Sequence, residues 1–341
     1  MQIELICDSR CAVGESLLWD AAANAIVWTD IPAKTIHRFN FASVNAEQAW
    51  QTWKIPEMAG CIALRHDSGN DAAKTINQKN TSQNTGVIKL IAGMESGVFA
   101  LDLAECGEVM TNLLATVPHS APSMRFNDGR CDRQGHFVAG TMRLDQAVGV
   151  GNPSVYQYTS DKNIKNIISK TVEKTALVTP NGMAFSPDGK TFYLSDSHVS
   201  SQKIWCFDYD TDTSADTSAD TSADTGTPHN GRLFVDMKQH AVRPDGAAID
   251  TEGCYWICAN DAGMIHRFTP QGKLDYSVAL PVKKPAICTW GGADLRTLFV
   301  TSIRPEGDYL NDSNLTEQPL AGGVFAITGL GAQGVPEPMF K

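Results

Sequence analysis

The 341-residue sequence lacks long hydrophobic runs, blocks of basic residues and strong helix signals. No apolar stretch approaches the roughly 18 to 20 residues that a membrane span requires. The opening sequence MQIELICDSR has no basic region followed by an apolar one, so we expect no export signal. With a net charge of −10 and no basic block, neither nucleic acid nor an anionic membrane surface is expected as a partner.

Cysteine pairs and familiar hydrolase motifs are also missing. The nine cysteines are scattered and contain no CxxC pair, which predicts reduced, mostly buried thiols and a cytoplasmic location. Cys254 and Cys258 lie four apart in a strand-like run, which is poor spacing for zinc. There is no GxSxG, HExxH or P-loop motif, and the eight histidines show no ligand spacing. Among the histidines, His198 alone stays a candidate for the pocket.

What the sequence does contain is a repeat of short β-rich runs separated by turn residues. Each strong copy places an oxygen-bearing side chain five residues before a hairpin turn and a more apolar strand after it. The strong copies are ESLLWDAAANAIVWTD from Glu15, NDGRCDRQGHFVAG from Asn127, NGMAFSPDGKTFYLSD from Asn181 and DGAAIDTEGCYWICAND from Asp245. GCIALRHDSG from Gly60 and PAICTWGGADLRTLFVTS from Pro285 are weaker copies.

Six copies predict an all-β, six-bladed β-propeller with four-stranded blades. We expect residues 1–341 to form a single propeller domain. Two polar segments, 67–86 and 211–229, are predicted to be loop insertions away from the chemistry. The apolar run IELIC (3–7) precedes the first blade, and we expect it to pair with the last blade near GVFAIT.

The innermost strands of a propeller converge on a central channel, so equivalent positions of the repeat should form a ring. The ring positions are Glu15, Gly60 or Cys61, Asn127, Asn181, Asp245, and Pro285 or Ala286. Two carboxylates and two amides suit a hard divalent cation. Burying the charge of Glu15 requires a cation or an arginine nearby. The alternative is that NDG, PNG and PDG serve only as turns.

Five motifs in order resemble the regucalcin/gluconolactonase family, the senescence marker protein-like lactonases. They are VGESLLWD (13–20), RFNDGRCDRQGHFVAGTM (125–142), TPNGMAFSPDGKTFYLSDS (179–197), RPDGAAIDTEGCYWICA (243–259) and AGGVFAITGLG (321–331). The resemblance runs from about residue 10 to residue 331. It implies a propeller that holds one divalent cation and hydrolyses small-molecule sugar lactones such as gluconolactone.

Carried over by motif, the resemblance implies metal ligands and substrate-binding residues. The metal ligands would be Glu15, Asn181 and Asp245, and the substrate would contact Arg125, Asn127 and Asp145. Asn127 could instead be an outer metal ligand, and the sequence RLDQ around Asp145 departs from the relatives. Asp128 and Asp196 are second-tier candidates for the pocket wall.

In the implied mechanism the cation polarises the lactone carbonyl while water attacks. Asp245 is the candidate base, or it acts only as a ligand that orients a deprotonated water. The native cation stays open among Ca²⁺, Zn²⁺, Mg²⁺ and Mn²⁺, and the loop 143–154 is expected to set the specificity. The alternatives are an organophosphate or aryl-ester hydrolase on the same fold, and a non-catalytic calcium-binding propeller. We expect a monomer or a weak homo-oligomer.

Overall fold

Short turns join most neighbouring strands of the structure, which is a computed structural model. It describes residues 1–43, 49–66, 86–146, 152–169, 171–172, 175–209, 226–305 and 315–341. Turn chemistry is visible where the first two strands of a blade meet. Asn24 (φ 49°) and Gly253 (φ 77°) adopt the left-handed conformation that tight turns require and that Asn and Gly tolerate best.

In the described parts of the chain, twenty-six strands, numbered in chain order, make up nearly all of the regular structure. The chain starts with β1 (Gln2–Cys7). Blade 1 is β2 (Gly14–Asp20), β3 (Ala25–Asp30), β4 (Thr35–Asn40) and β5 (Trp50–Lys54); blade 2 is β6 (Cys61–Leu64), β7 (Val87–Gly93), β8 (Gly97–Ala104) and β9 (Val109–Thr116). Blade 3 is β10 (Met124–Cys131), β11 (Phe137–Arg143), β12 (Ser154–Tyr158) and β13 (Ile164–Ser169).

After blade 3 comes a small hairpin of β14 (Thr171–Val172) and β15 (Thr175–Ala176). Blade 4 is β16 (Pro180–Phe185), β17 (Thr191–Asp196), β18 (Lys203–Tyr209) and β19 (Pro228–Asp236), followed by one 3-10 turn, Met237–His240. Blade 5 is β20 (Arg243–Ile249), β21 (Tyr255–Asn260), β22 (Met264–Phe268) and β23 (Leu274–Ala279); blade 6 contains β24 (Pro285–Gly291), β25 (Thr297–Ser302) and β26 (Val324–Thr328).

All six blades are antiparallel four-stranded sheets arranged in a ring, so the predicted six-bladed propeller is confirmed. The first strand of each blade is innermost and lies beside the first strands of the two neighbouring blades. As predicted, β1 supplies the outer strand of blade 6 and pairs antiparallel with β26, with Leu5 opposite Phe325. A strand from before blade 1 therefore closes the ring.

The hydrophobic core is divided into clusters that lie between neighbouring blades. Trp205 lies in the cluster between blades 3 and 4, Trp256 between blades 5 and 6, and Trp28 between blades 6 and 1. All three tryptophans are fully buried. Face-to-face packing of twisted sheets therefore holds the blades together, and the inner strands are left to line the channel.

Residues 333–341 cross the end of the ring where the first hairpin turn of each blade lies. The Gly334 amide donates to the Leu295 carbonyl in the blade 6 turn, and the Lys341 amide donates to the Gly135 carbonyl in the blade 3 turn. Phe340 adds backbone hydrogen bonds to Leu64 and His66 beside blade 2. This segment, called the crossing segment below, ties several blades together at one end.

Two further expectations concern the cysteines and the insertions. All nine cysteines are free, and eight of them are buried, as predicted for reduced core thiols. Most of the predicted insertions 67–86 and 211–229 lies outside the described residues, although Pro228 and His229 begin β19. Within the described ranges, no helix has the length and apolar character needed to cross a membrane.

Candidate functional site

A cavity of about 980 Å³ opens at the end of the channel opposite the crossing segment. Its lining includes all six residues predicted to bind the metal or the substrate, from blades 1, 3, 4 and 5, but neither Asp128 nor Asp196. The six are Glu15, Arg125, Asn127, Asp145, Asn181 and Asp245. Residues far apart in the sequence therefore meet in one pocket, because the starts of the inner strands converge there.

Irregular pairing of the inner strands positions the polar side chains. The ladder between the first two strands shifts register after Glu15 in blade 1 and after Asn181 in blade 4. In blades 3 and 5 the shift begins one residue earlier, so Asn127 and Asp245 lie within the irregular segment. Such bulges bend a strand and redirect its side chains, which turns these groups toward the cavity.

Blades 2 and 6 supply no polar group at the ring position, and the structure gives the reason for blade 2. A Cβ atom on Gly60 would lie 2.1 Å from the Phe126 carbonyl oxygen, so the backbone of blade 3 occupies that space. In blade 6, Pro285 and Ala286 are buried and apolar. The polar part of the ring is thus formed by four of the six blades, namely 1, 3, 4 and 5.

Asp245 is buried between two amide side chains. Its Oδ1 accepts a hydrogen bond of 2.5 Å from Asn181 Nδ2, and its Oδ2 accepts one of 2.6 Å from Asn260 Nδ2. Burial raises the pKa of Asp245 from 3.8 to about 7, although the charge of Arg243 and the bond from Asn260 lower it. A carboxyl with such a pKa can accept a proton near neutral pH.

Glu15 is also buried, and its surroundings disfavour its charge. Burial, followed by the negative charges of Asp245 and Asp128, raises the pKa of Glu15 well above the ordinary value, and Arg125 opposes this rise. Its Oε2 accepts a hydrogen bond of 3.3 Å from the Ser16 amide. Two buried acids, of which Asp245 raises the pKa of Glu15, form a site that a cation would stabilise.

Asn181 is next to Asp245 in the ring order. Besides its bond to Asp245, its Nδ2 donates to Ser197 Oγ (3.2 Å), and its Oδ1 accepts from the Gly182 amide (3.1 Å). Gly182 has φ 56°, and a Cβ atom there would lie 2.5 Å from Tyr255 Oη. Glycine is therefore required after Asn181, and this explains the sequence PNG at a position that is not a turn.

Arg125 and Asn127 form the blade 3 side of the cavity. One guanidinium nitrogen of Arg125 donates to Asn127 Oδ1 (3.0 Å) and to the Phe126 carbonyl (2.6 Å). Asn127 Nδ2 in turn donates to the Pro180 carbonyl of blade 4 (3.1 Å). The two side chains hold each other in place at the cavity wall.

The alternative interpretation of NDG as a turn is wrong, because Asn127 to Gly129 lie inside β10, and the hairpin turn follows Cys131. Asp128 is buried, and its two oxygens accept hydrogen bonds from the Gly129 and Met183 amides. It therefore links blade 3 to blade 4, while its charge acts on both Glu15 and Asp245.

The weaker candidates have distinct environments. Asp145 lines the cavity, is exposed and accepts a hydrogen bond of 2.8 Å from Arg143 Nε. His198 also lines the cavity, and its Nδ1 lies 2.8 Å from Ser200 Oγ. Asp196 instead accepts hydrogen bonds from the Val178 and Thr179 amides, which is a structural role.

Sequence analysis missed Asn260, which ends β21 and bonds directly to Asp245. The corresponding residues at the ends of the second strands in blades 1 and 4 are Asp30 and Asp196, which accept bonds from backbone amides. Asn260, in the sequence CAND, stands where blades 1 and 4 have aspartate, and this replacement of aspartate by asparagine was a usable signal. An amide donates to Asp245 where a carboxylate would repel it.

Four charged residues near blade 5 and blade 6 were also missed: Arg243, Asp261, Lys283 and Lys284. All four line the cavity. Asp261 accepts a hydrogen bond of 2.6 Å from Arg243 Nε and one of 2.5 Å from Lys284 Nζ. Arg243 lies two residues before Asp245, as Arg125 does before Asn127, which was a usable signal, whereas the positions of the other three residues gave none.

The donor set of the cavity fits a hard divalent cation. Carboxylates of Glu15 and Asp245 and the amide of Asn181 are the oxygen ligands that such ions prefer. Two other close groups of possible ligands occur among the described residues, Cys11–Asp30–His37 and Asp250–Glu252–Cys254. Both contain a cysteine, and their members already bond to neighbours such as Trp28 and Arg267.

Comparison with known proteins identifies the family of the chain. The family model described as "SMP-30/Gluconolactonase/LRE-like region" matches residues 13–304. Regucalcin from Sus scrofa is 32% identical over 340 residues, covering 98% of this chain and 97% of the relative. A 6-deoxy-6-sulfogluconolactonase from Pseudomonas putida is 30% identical over 338 residues, covering 96% and 94%.

A solved structure has the same fold: a calcium-binding protein, regucalcin, from Agrobacterium tumefaciens. The TM-score is 0.77 at 23% identity, and the alignment covers 99% of this chain and 96% of that one. Both the family model and the sequence relatives extend over most of the chain. The chain therefore belongs to the SMP-30/gluconolactonase/LRE-like family.

Proposed function

We propose that this protein is a divalent-metal-dependent lactonase that opens sugar lactones to the corresponding hydroxy acids. The observation that carries the proposal is the convergence of Glu15, Asn181 and Asp245 in one cavity, with Asn181 bonded directly to Asp245. Membership of the family and similarity to a sulfogluconolactonase support a lactonase over other hydrolases.

Glu15, Asn181 and Asp245 would hold the cation. When bound, the cation would supply Lewis-acid stabilisation of the negative charge that develops on the lactone carbonyl oxygen, an effect on the order of several kcal/mol. The calcium-binding relative makes Ca²⁺ one of the ions to test beside Zn²⁺, Mg²⁺ and Mn²⁺. Arg125, Asn127 and Asp145 would hold the sugar hydroxyls.

Asp245 is proposed to act as the base. It takes a proton from water as the water oxygen forms a bond to the lactone carbonyl carbon. The ring carbon–oxygen bond then breaks, and the proton passes from Asp245 to the departing ring oxygen. Asn181 and Asn260 hold both oxygens of Asp245 by hydrogen bonds, which fixes the direction of the carboxyl group.

The composition of the cavity favours sugars over aryl esters. Among the described residues, no Phe, Tyr or Trp lines the cavity, whereas charged and amide side chains do. Aromatic side chains would favour an aryl leaving group, whereas the apolar part of this lining is aliphatic, as at Met142 and Leu144. A polyhydroxylated ligand instead matches a wall of hydrogen-bonding groups.

A pH-indicator assay tests the proposal. Metal-stripped protein is assayed with a panel of aldonolactones after each divalent ion is restored in turn. The variant Asp245→Asn and the control Asp294→Asn, which lies in an exposed turn, are assayed in the same way. We expect metal-dependent acid release that Asp245→Asn lowers by about 10²- to 10⁴-fold, the usual contribution of a general base. If the wild type binds the ion but opens no lactone, the lactonase proposal is wrong.

A further inference from the structure

A cluster of positive charge lies on the cavity wall beside Asp245, and the proposed reaction makes no use of it. It consists of Arg243 at the start of β20, Lys283 and Lys284 just before β24, and Asp261 just after β21. We call these four residues the cationic wall. With three cations and one anion, it carries a net charge of +2.

Asp261 organises the cationic wall. Its two oxygens accept separate hydrogen bonds, from Arg243 Nε and from Lys284 Nζ, and it is held at φ 73°, a conformation that aspartate tolerates at some cost. Burial raises the pKa of Asp261, but the bonds from Arg243 and Lys284 outweigh this and hold the pKa below its usual value. One carboxylate thus fixes two cations in place.

The cationic wall retains unused hydrogen-bond donors. Within the described part of the chain, Arg243 uses Nε toward Asp261 and one Nη2 hydrogen toward Asn260 Oδ1 (3.4 Å), which accounts for two of its five N–H donors. Lys284 uses one of three. A guanidinium held by its Nε side presents a fork that suits a planar or tetrahedral oxyanion.

The cationic wall is also one side chain away from the reacting groups. Arg243 contacts Asn260, and Asn260 donates to Asp245. The side chains of Arg243 and Lys284 are 31% and 15% exposed, so a ligand in the cavity would meet charges that are partly desolvated. Partly buried charges interact with an anion more strongly than surface charges do.

We propose that the cationic wall binds a negatively charged substituent of the substrate, so that the preferred lactones carry a fixed anion away from the carbonyl that is attacked. This inference rests on the proposed lactonase function and names its substrate class. Carboxylate, phosphate and sulfonate share the chemistry required: several oxygen acceptors and at least one negative charge.

The test compares neutral and charged lactones under identical metal and pH conditions. Glucono-δ-lactone is the neutral substrate; glucaro-1,4-lactone, 6-phosphogluconolactone and 6-deoxy-6-sulfogluconolactone carry a carboxylate, a phosphate and a sulfonate. We expect kcat/KM at least about tenfold higher for one of the charged lactones, decreasing with added NaCl, while the value for the neutral lactone does not change with salt. The three anions identify which substituent fits.

Variants separate binding from folding. Lys284→Gln should raise KM for the charged lactone about tenfold with kcat unchanged, and it should leave the kinetics of the neutral lactone unaffected. Lys284→Arg, which keeps the positive charge, should retain part of the affinity for the charged lactone. Lys283→Gln, which removes an exposed charge, should raise the same KM less and keeps the test valid if Lys284→Gln unfolds. Lys190→Gln, an exposed lysine near the opposite end of blade 4, is the matched control.

Failure of anion binding by the cationic wall and failure of the proposed lactonase function give different results. If glucono-δ-lactone is opened but no charged lactone is preferred, or if Lys284→Gln and Lys283→Gln affect neutral and charged lactones alike, the cationic wall is only a structural ion pair and the inference is wrong. If no lactone of either kind is opened, the proposed function fails and the inference fails with it.

Discussion

At the scale of single residues, the protonation of Asp245 and Glu15 would control when the proposed metal site can bind a cation. Both carboxyls have raised pKa values, and the pKa of Asp245 is about 7. The protonated acids are favoured in the folded protein because burial penalises their charged forms. A cation must therefore displace protons below neutral pH.

This predicts opposite pH trends with and without metal. The folded pKa of Asp245 exceeds its unfolded value, so folding takes up a proton between about pH 4 and 7, and the metal-free protein loses stability as pH rises through that window. A divalent cation should stabilise more at pH 8 than at pH 5.5, with apparent affinity falling about tenfold per pH unit for each proton displaced.

Thermal melting with Ca²⁺ or EDTA at several pH values measures the first trend. Calorimetry in two buffers of different ionisation enthalpy counts the protons released on binding. The control Asp294→Asn should behave as the wild type. Equal stabilisation at pH 5.5 and 8, with no proton released, would contradict the prediction.

How far the sequence predicts individual site residues depends on the repeat. Glu15, Asn127, Asn181 and Asp245 were predictable because one register positions all four on the channel. Arg125, Asp145 and the assignment of roles came from family resemblance, and the roles stay predictions. Asn260 was not predicted although asparagine there replaces the aspartate of blades 1 and 4. Asp261 was not predictable, because which second-strand ends face the cavity depends on the bulges, and bulges leave no pattern in composition.

At the scale of elements, β1 precedes blade 1 in the sequence but completes blade 6 in the folded protein. It pairs with β26, and Leu5 packs beside Phe325 and Gly323 while Glu4 faces solvent. The apolar run IELIC made the strand predictable, and its place before blade 1 made its partner predictable. Hydrophobic contact, in addition to hydrogen bonding, therefore holds the ring closed.

We expect Leu5→Ala to lower the free energy of unfolding by about 2 kcal/mol, the lower part of the range for buried leucine because Leu5 is only partly buried. The matched control Glu4→Ala, one residue away on the exposed face, should change it by less than about 0.5 kcal/mol. Urea denaturation monitored by tryptophan fluorescence gives both values. Equal effects for the two variants would mean that β1 contributes little to closure.

At the scale of the whole molecule, the crossing segment contacts several blades and so joins units that are separate copies of the sequence repeat. Phe340 is buried and stacks on Tyr158 at 5.6 Å between ring centroids, and Glu337 Oε1 accepts a bond of 2.9 Å from Arg130. Arg130 reaches from there to the Ala247 carbonyl inside the channel. Composition predicts none of this, because VPEPMFK has no strand or helix period.

We expect Phe340→Ala to cost about 3 kcal/mol, because a buried aromatic is lost and leaves a cavity. Lys341→Ala, an exposed neighbour, is the control and should be nearly neutral. Thermal and urea unfolding measure the difference. If Phe340→Ala is as stable as the wild type, the crossing segment is not part of the cooperative fold.

Pairing of β1 with β26 also orders events during synthesis. Leu5 emerges from the ribosome 320 residues before its partner Phe325. At about 5 to 20 residues per second, β1 waits on the order of 15 to 60 seconds without its native neighbour. During that interval blades 1 to 5 can form one after another from local hairpins, whereas blade 6 cannot form until β24 to β26 have been made and β1 can pair with β26. Chaperones and aggregation would then act mainly on an open ring of five finished blades.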